Sequence, residues 1–130
     1  MAPGAKLHLC SKVTGKHLRI GAGGAVDAKG GKGCWATFHV RAGSRPGTVL
    51  LQNSGNSAHW LSFDGHSVKG SSKGNATAFR AMKGAEGVVA FKSEAGLWLA
   101  VTKVGAVIAK EKNTDIVGQF VSFTPIPAAS

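Results

Sequence analysis

Residues 88–107 read VVAFKSEAGLWLAVTKVGAV, and their pattern decides the fold. A strand-like apolar pair, Val88 and Ala90, is followed by a turn at Glu94–Gly96 and a second strand at Leu99. After Gly105 and Val107 a third strand begins, and a Phe strand at Phe120 closes the unit. Alternation of apolar and polar residues between Gly, Asn and Asp punctuation is the signature of short β-strands joined by tight turns.

The same order of markers occurs twice more. The first unit has Leu7 and Leu9, Leu18, Gly24 and Val26, then Phe38 and Val40; the second has Val49 and Leu51, Leu61, Gly65 and Val68, then Phe79. Phe38, Phe79 and Phe120 fall 41 positions apart, while the Leu18, Leu61 and Leu99 spacings are 43 and 38. Slack is thereby expected in loops. No stretch keeps a 3.6-residue period with caps, so very little helix is expected. A four-stranded unit of this length cannot bury its apolar face alone, so all three must share one core. A propeller usually needs at least four blades. The expected fold is an all-β β-trefoil with pseudo-threefold symmetry, one domain over residues 1–130, with repeats at about 6–46, 47–87 and 88–127. The glycine-rich stretches 21–24 and 30–33 are expected at hairpin turns, where positive φ is needed.

Composition narrows the function classes. The 130 residues suffice for one hydrophobic core, and no apolar run approaches the length of a membrane span. Sixteen Lys and Arg against six Asp and Glu give a formal charge of +10, which favours polyanionic partners. Cys10 and Cys34 are too few for a disulfide scaffold and are expected as free thiols, with Cys10 in the core. The five His show no metal-ligand spacing, and no nucleophile elbow, phosphate loop or zinc-hydrolase pair occurs. No catalytic residue, metal or cofactor is assigned, and the chain is expected to be a non-enzyme and a monomer. The first residues lack the basic-then-apolar layout of a secretory signal, so a cytoplasmic protein, or one exported by a non-classical route, is expected.

Two family resemblances follow from particular residues. Lys6-Leu7-His8-Leu9-Cys10-Ser11, Gly15-Lys16-His17-Leu18-Arg19-Ile20, Gly24-Ala25-Val26-Asp27 and the ending Phe123-Thr124-Pro125-Ile126-Pro127 resemble the two ends of the fibroblast growth factors. That resemblance implies a heparan sulfate partner and a cell-surface receptor. It places the glycan site on the third unit, at Lys103, Lys110, Lys112 and Gln119 in Gly118-Gln119, aided by Lys12 at the first-strand turn; the first unit's charge adds Lys16 beside Lys12. Sulfate recognition of this kind needs several cations converging from rigid loops. Thr102, Ile108 and Phe120 depart from the family's basic positions, and Glu111 and Asp115 add negative charge there. The positive charge is concentrated instead in residues 1–46, at +7, against +2 for 47–87 and +1 for 88–130. The family's receptor-facing tyrosines have no counterpart, since the chain contains no Tyr.

Val89-Ala90-Phe91-Lys92-Ser93-Glu94-Ala95-Gly96, with Lys103-Val104-Gly105 and Ala109, is similar to a repeat of fascin, which implies actin filaments as the alternative partner. Trp60 and Trp98, with His17, hold equivalent repeat positions and are expected to pack, whereas Trp35 breaks the repeat and is expected to be partly exposed.

Overall fold

The computed structural model describes residues 1–111 and 118–128, with Gln119 through its backbone alone. Twelve strands run in chain order: β1 (Lys6–Ser11), β2 (His17–Ile20), β3 (Val26–Gly30), β4 (Phe38–Ala42), β5 (Val49–Asn53), β6 (Trp60–Asp64), β7 (Ser67–Ser71), β8 (Phe79–Lys83), β9 (Val89–Ser93), β10 (Leu97–Val101), β11 (Val107–Glu111) and β12 (Phe123–Pro127). Short 3-10 turns at Cys34–Ala36, Lys73–Asn75, Ala85–Gly87 and Gly118–Phe120 are the only helical turns among the described residues. No helix there is long and apolar enough to cross a membrane.

Every ladder is antiparallel. The pairings close a circuit of nine strands, β1–β4–β5–β6–β7–β11–β10–β9–β12 and back to β1, with β2, β3 and β8 outside it. The expected β-trefoil is corrected to this closed nine-strand barrel with three additional strands. Strict threefold equivalence would engage the three hairpins alike. Instead β7 and β11 meet through a ladder at Ile108 and Ser67, whereas the β2–β3 hairpin pairs with the other two hairpins through the isolated bridges Ala25–Lys69 and Asp27–Ala106 and not through a ladder. The β2–β3 ladder also carries a register irregularity between His17 and Arg19, which weakens its fit to a regular sheet. β8 pairs with both β5 and β9, so β1, β4, β5, β8, β9 and β12 also form a smaller ring.

The core follows from the strand alternation. Leu9, Leu18, Phe38, Leu51, Leu61, Phe79, Phe91, Leu99 and Phe123 are all fully buried in one cluster. Their rings continue into one another: Phe63–Phe79, Phe79–Phe91 and Phe91–Phe123 centroids lie 5.1, 5.9 and 6.0 Å apart. The first two are edge-to-face, and such pairs add about 0.5–1.5 kcal/mol each beyond area burial.

Three finer expectations need correction. The closing strand of the third unit starts at Phe123, and Phe120 lies in the preceding 3-10 turn, because Phe123 rather than Phe120 reaches the core and pairs with Ser11. Gly30 ends β3 and Gly31–Gly33 lead into the 3-10 turn, all at negative φ, so that stretch is no hairpin turn. Cys10 is only half-buried, and both cysteines are free. Trp60 and Trp98 are buried at 7% and 8% exposure, under Lys73 and Lys92 respectively, and Trp35 is 38% exposed.

Candidate polyanion-binding site

Few of the cations are neutralised within the chain. Arg19 Nε lies 2.8 Å from Asp27, Arg45 Nε 3.0 Å from Glu94, and Lys69 Nζ 3.3 Å from Asp64. His66 Nε2 sits 3.2 Å from Glu111. The Glu111 carboxyl is held below its ordinary value, first by its own backbone N–H and then by His66. The other Lys and Arg side chains make no ion pair among the described residues. Their charge is available to an external anion.

The turn between β1 and β2 carries Lys12 and Lys16, both exposed. It is held rigid by its own hydrogen bonds. Ser11 Oγ accepts from the N–H groups of Val13 (3.2 Å) and Thr14 (3.4 Å). The Ser11 N–H donates to Lys16 O at 2.8 Å, and the Lys16 N–H donates to Thr14 Oγ1 at 3.1 Å. A Ser and a Thr supplying these acceptors is the local chemistry that favours turns over strands.

Two contacts tie this turn to the third unit. The Lys12 N–H donates to Ser122 O at 3.1 Å, and Lys12 shares a cleft of about 580 Å³ with Gly118, Ser122 and Glu86. On the other side Thr14 Oγ1 donates to Ala28 O at 2.9 Å, and the Ala28 N–H donates to Gly105 O at 2.9 Å. Gly105 belongs to the β10–β11 turn that carries Lys103, which is exposed. The stem of Lys29 crosses this glycine so closely that a Cβ there would stand 2.8 Å from Lys29 Cγ. Lys16, Lys29 and Lys103 are thus carried on neighbouring, hydrogen-bonded segments.

Of the residues expected at the site, Lys12, Lys16 and Lys103 fall on this connected set of turns. Lys110 does not: it pairs with Trp98 near the base of the β10–β11 hairpin, whereas Lys103 is at its tip. Lys112 and the Gln119 side chain lie outside the described residues. Lys29 is the addition. Only its charge marked it in the sequence, because its approach to Gly105 depends on an isolated bridge between β3 and the β10–β11 turn. Glu86 is the one carboxylate among the described residues of the Lys12 cleft, at φ 60 and therefore fixed by its turn in the left-handed region.

Among the described residues no three His, Cys, Asp or Glu side chains converge as a metal ion would require. No protein-family model matches the chain, and no curated protein matches it significantly.

Proposed function

We propose that the protein is a non-catalytic binder of a sulfated glycosaminoglycan of the heparan sulfate type. Lys12, Lys16, Lys29 and Lys103 neutralise sulfates from the turns that follow β1 and β10 and from β3 between them, with Lys112 and Gln119 as the family-type additions. The observation that carries this reading is the Thr14–Ala28–Gly105 hydrogen-bond chain, which connects three cation-bearing segments, with no carboxylate partner for any of the four lysines among the described residues. Cations held on preorganised loops lose less freedom on binding than scattered surface lysines. The fibroblast growth factor resemblance at both chain ends supports the same ligand class, and heparan sulfate as partner implies a chain that reaches the cell exterior. A growth-factor receptor surface has little to anchor it here. The chain has no Tyr, and Leu9, at the first of the family's tyrosine positions, is fully buried.

Salt elution from heparin-agarose beside a cation exchanger of matched charge density tests the reading. Any strongly basic protein binds both at low salt, so the difference is what counts. Later elution from heparin is expected. Equal elution would mean that the charge acts diffusely and would sink the glycan reading, leaving co-sedimentation with actin filaments as the test of the fascin-like alternative.

A further inference from the structure

A row of cations crosses the outer face of four successive strands. Register sets Arg80 of β8 opposite Lys92 of β9, Lys92 opposite Trp98 of β10, and Trp98 opposite Lys110 of β11. The adjacent residues Phe79, Phe91 and Ala109 are fully buried, so strand alternation turns Arg80, Lys92 and Lys110 outward. With strands about 4.8 Å apart, the row spans about 14 Å.

Like charges directly opposed across a ladder destabilise a sheet. Arg80 and Lys92 are opposed in this way, and neither has an ion pair among the described residues. The two heads separate: Arg80 Nη1 reaches the backbone of Gly47, 3.3 Å from where a Cβ would stand, and Lys92 Nζ sits 5.5 Å over the Trp98 ring. The nearest acids in sequence are already engaged. Glu94 is paired with Arg45 at 3.0 Å, and Glu111, which alternation sends to the face opposite Lys110, is held by His66. What remains is an outward line of cations, two of them directly opposed, with no ion-pair partner among the described residues.

We propose that Arg80, Lys92 and Lys110 form a second binding site for a linear sulfated saccharide, distinct from the β1–β2 turn. It rests on the ligand class proposed above but uses none of the same four lysines. The sites are separated along the β8–β9 hairpin: the Lys12 cleft adjoins its turn at residues 84–88, and the Arg80–Lys92 pair lies four residues further on, about 13 Å away. A sulfated chain fits better than a nucleic-acid strand, because strands bind on exposed aromatic platforms. The row's one aromatic, Trp98, is 8% exposed and lies under Lys92.

Lysine acetylation footprinting of the intact protein, with and without a heparin hexasaccharide, reads both sites at once. Lys92 and Lys110 are expected to be protected severalfold, alongside Lys12, Lys16, Lys29 and Lys103. The R80Q/K92Q/K110Q variant should keep protection in the β1–β2 turn while the salt-dependence slope of total binding falls by about 2 to 3. Protection confined to Lys12, Lys16, Lys29 and Lys103 would overturn the second site and leave the first standing. Protection of no lysine would overturn both. Stronger protection of Lys92 and Lys110 by an oligothymidylate than by the hexasaccharide would overturn the assignment of a sulfated ligand.

Discussion

His39 shows how the surplus of positive charge acts on a single side chain. On β4 it stands directly opposite Lys6 of β1 and Gln52 of β5, and Arg41, two residues along, donates from Nε to Gln52 Oε1 at 3.0 Å. Loss of solvation, then Arg41 and Lys6, hold the imidazole below its ordinary 6.5, against a hydrogen bond to the Gly4 backbone that works the other way. The folded chain therefore takes up this proton less readily than the unfolded chain. Stability contributed by neutral His39 is present above the unfolded value of 6.5 and is lost as pH falls from there through the lower folded value. His39→Gln removes the titration, so urea midpoints measured from about pH 7 to 5.5 should fall less steeply in the variant than in the parent. An unchanged slope would show that His39 meets no more positive field than in the unfolded chain.

At the scale of elements, the turns were the most legible part of the sequence and the register the least. Gly24 and Gly65 were both marked as turn glycines, and both adopt positive φ, at +89 and +60. Their surroundings differ in a way that local sequence does not encode. A Cβ on Gly24 would stand 2.8 Å from Gly70 O, where β2–β3 meets β6–β7, whereas nothing lies within 4 Å of Gly65. Gly65→Ala should cost only the left-handed backbone, about 1 kcal/mol. Gly24→Ala adds a backbone clash and should cost about 2–3 kcal/mol or more, read as the shift in chemical-denaturation midpoint. The closing strand was misplaced for a related reason. Phe120-Val121-Ser122-Phe123 alternates like a strand from its first residue, but the Lys12 N–H bond to Ser122 O and the burial of Phe123 start β12 three positions later. The regular 41-residue spacing to Phe120 therefore did not mark equivalent residues.

For the whole molecule, an all-β chain with one shared core was readable from three apolar patterns that could not each bury themselves. The closure of the sheet was not. It depends on which hairpins touch through ladders and which through isolated bridges, as at Ile108–Ser67 against Ala25–Lys69. The core should behave as one cooperative unit. Phe91 is fully buried, with ring neighbours in Phe79 and Phe123, and Phe91→Ala should lower stability by about 3–5 kcal/mol with an unchanged denaturant slope. The proposed binding surface divides in the same manner. Charge and family resemblance picked out Lys12, Lys16, Lys103 and Lys110, but the approach of Lys29 to Gly105 and the alignment of Lys110 with Arg80 and Lys92 emerge only from contacts across strands. The most direct test of the account is the salt dependence of heparin-hexasaccharide affinity for the parent and for K12Q/K16Q/K29Q/K103Q, all four changed together. Each cation that meets a sulfate should contribute roughly 0.7–0.9 to the slope of log affinity against log salt, by analogy with nucleic-acid polyanions. The account predicts a slope lower by about 3 with the fold intact; an unchanged slope and affinity would show that the glycan does not bind these turns.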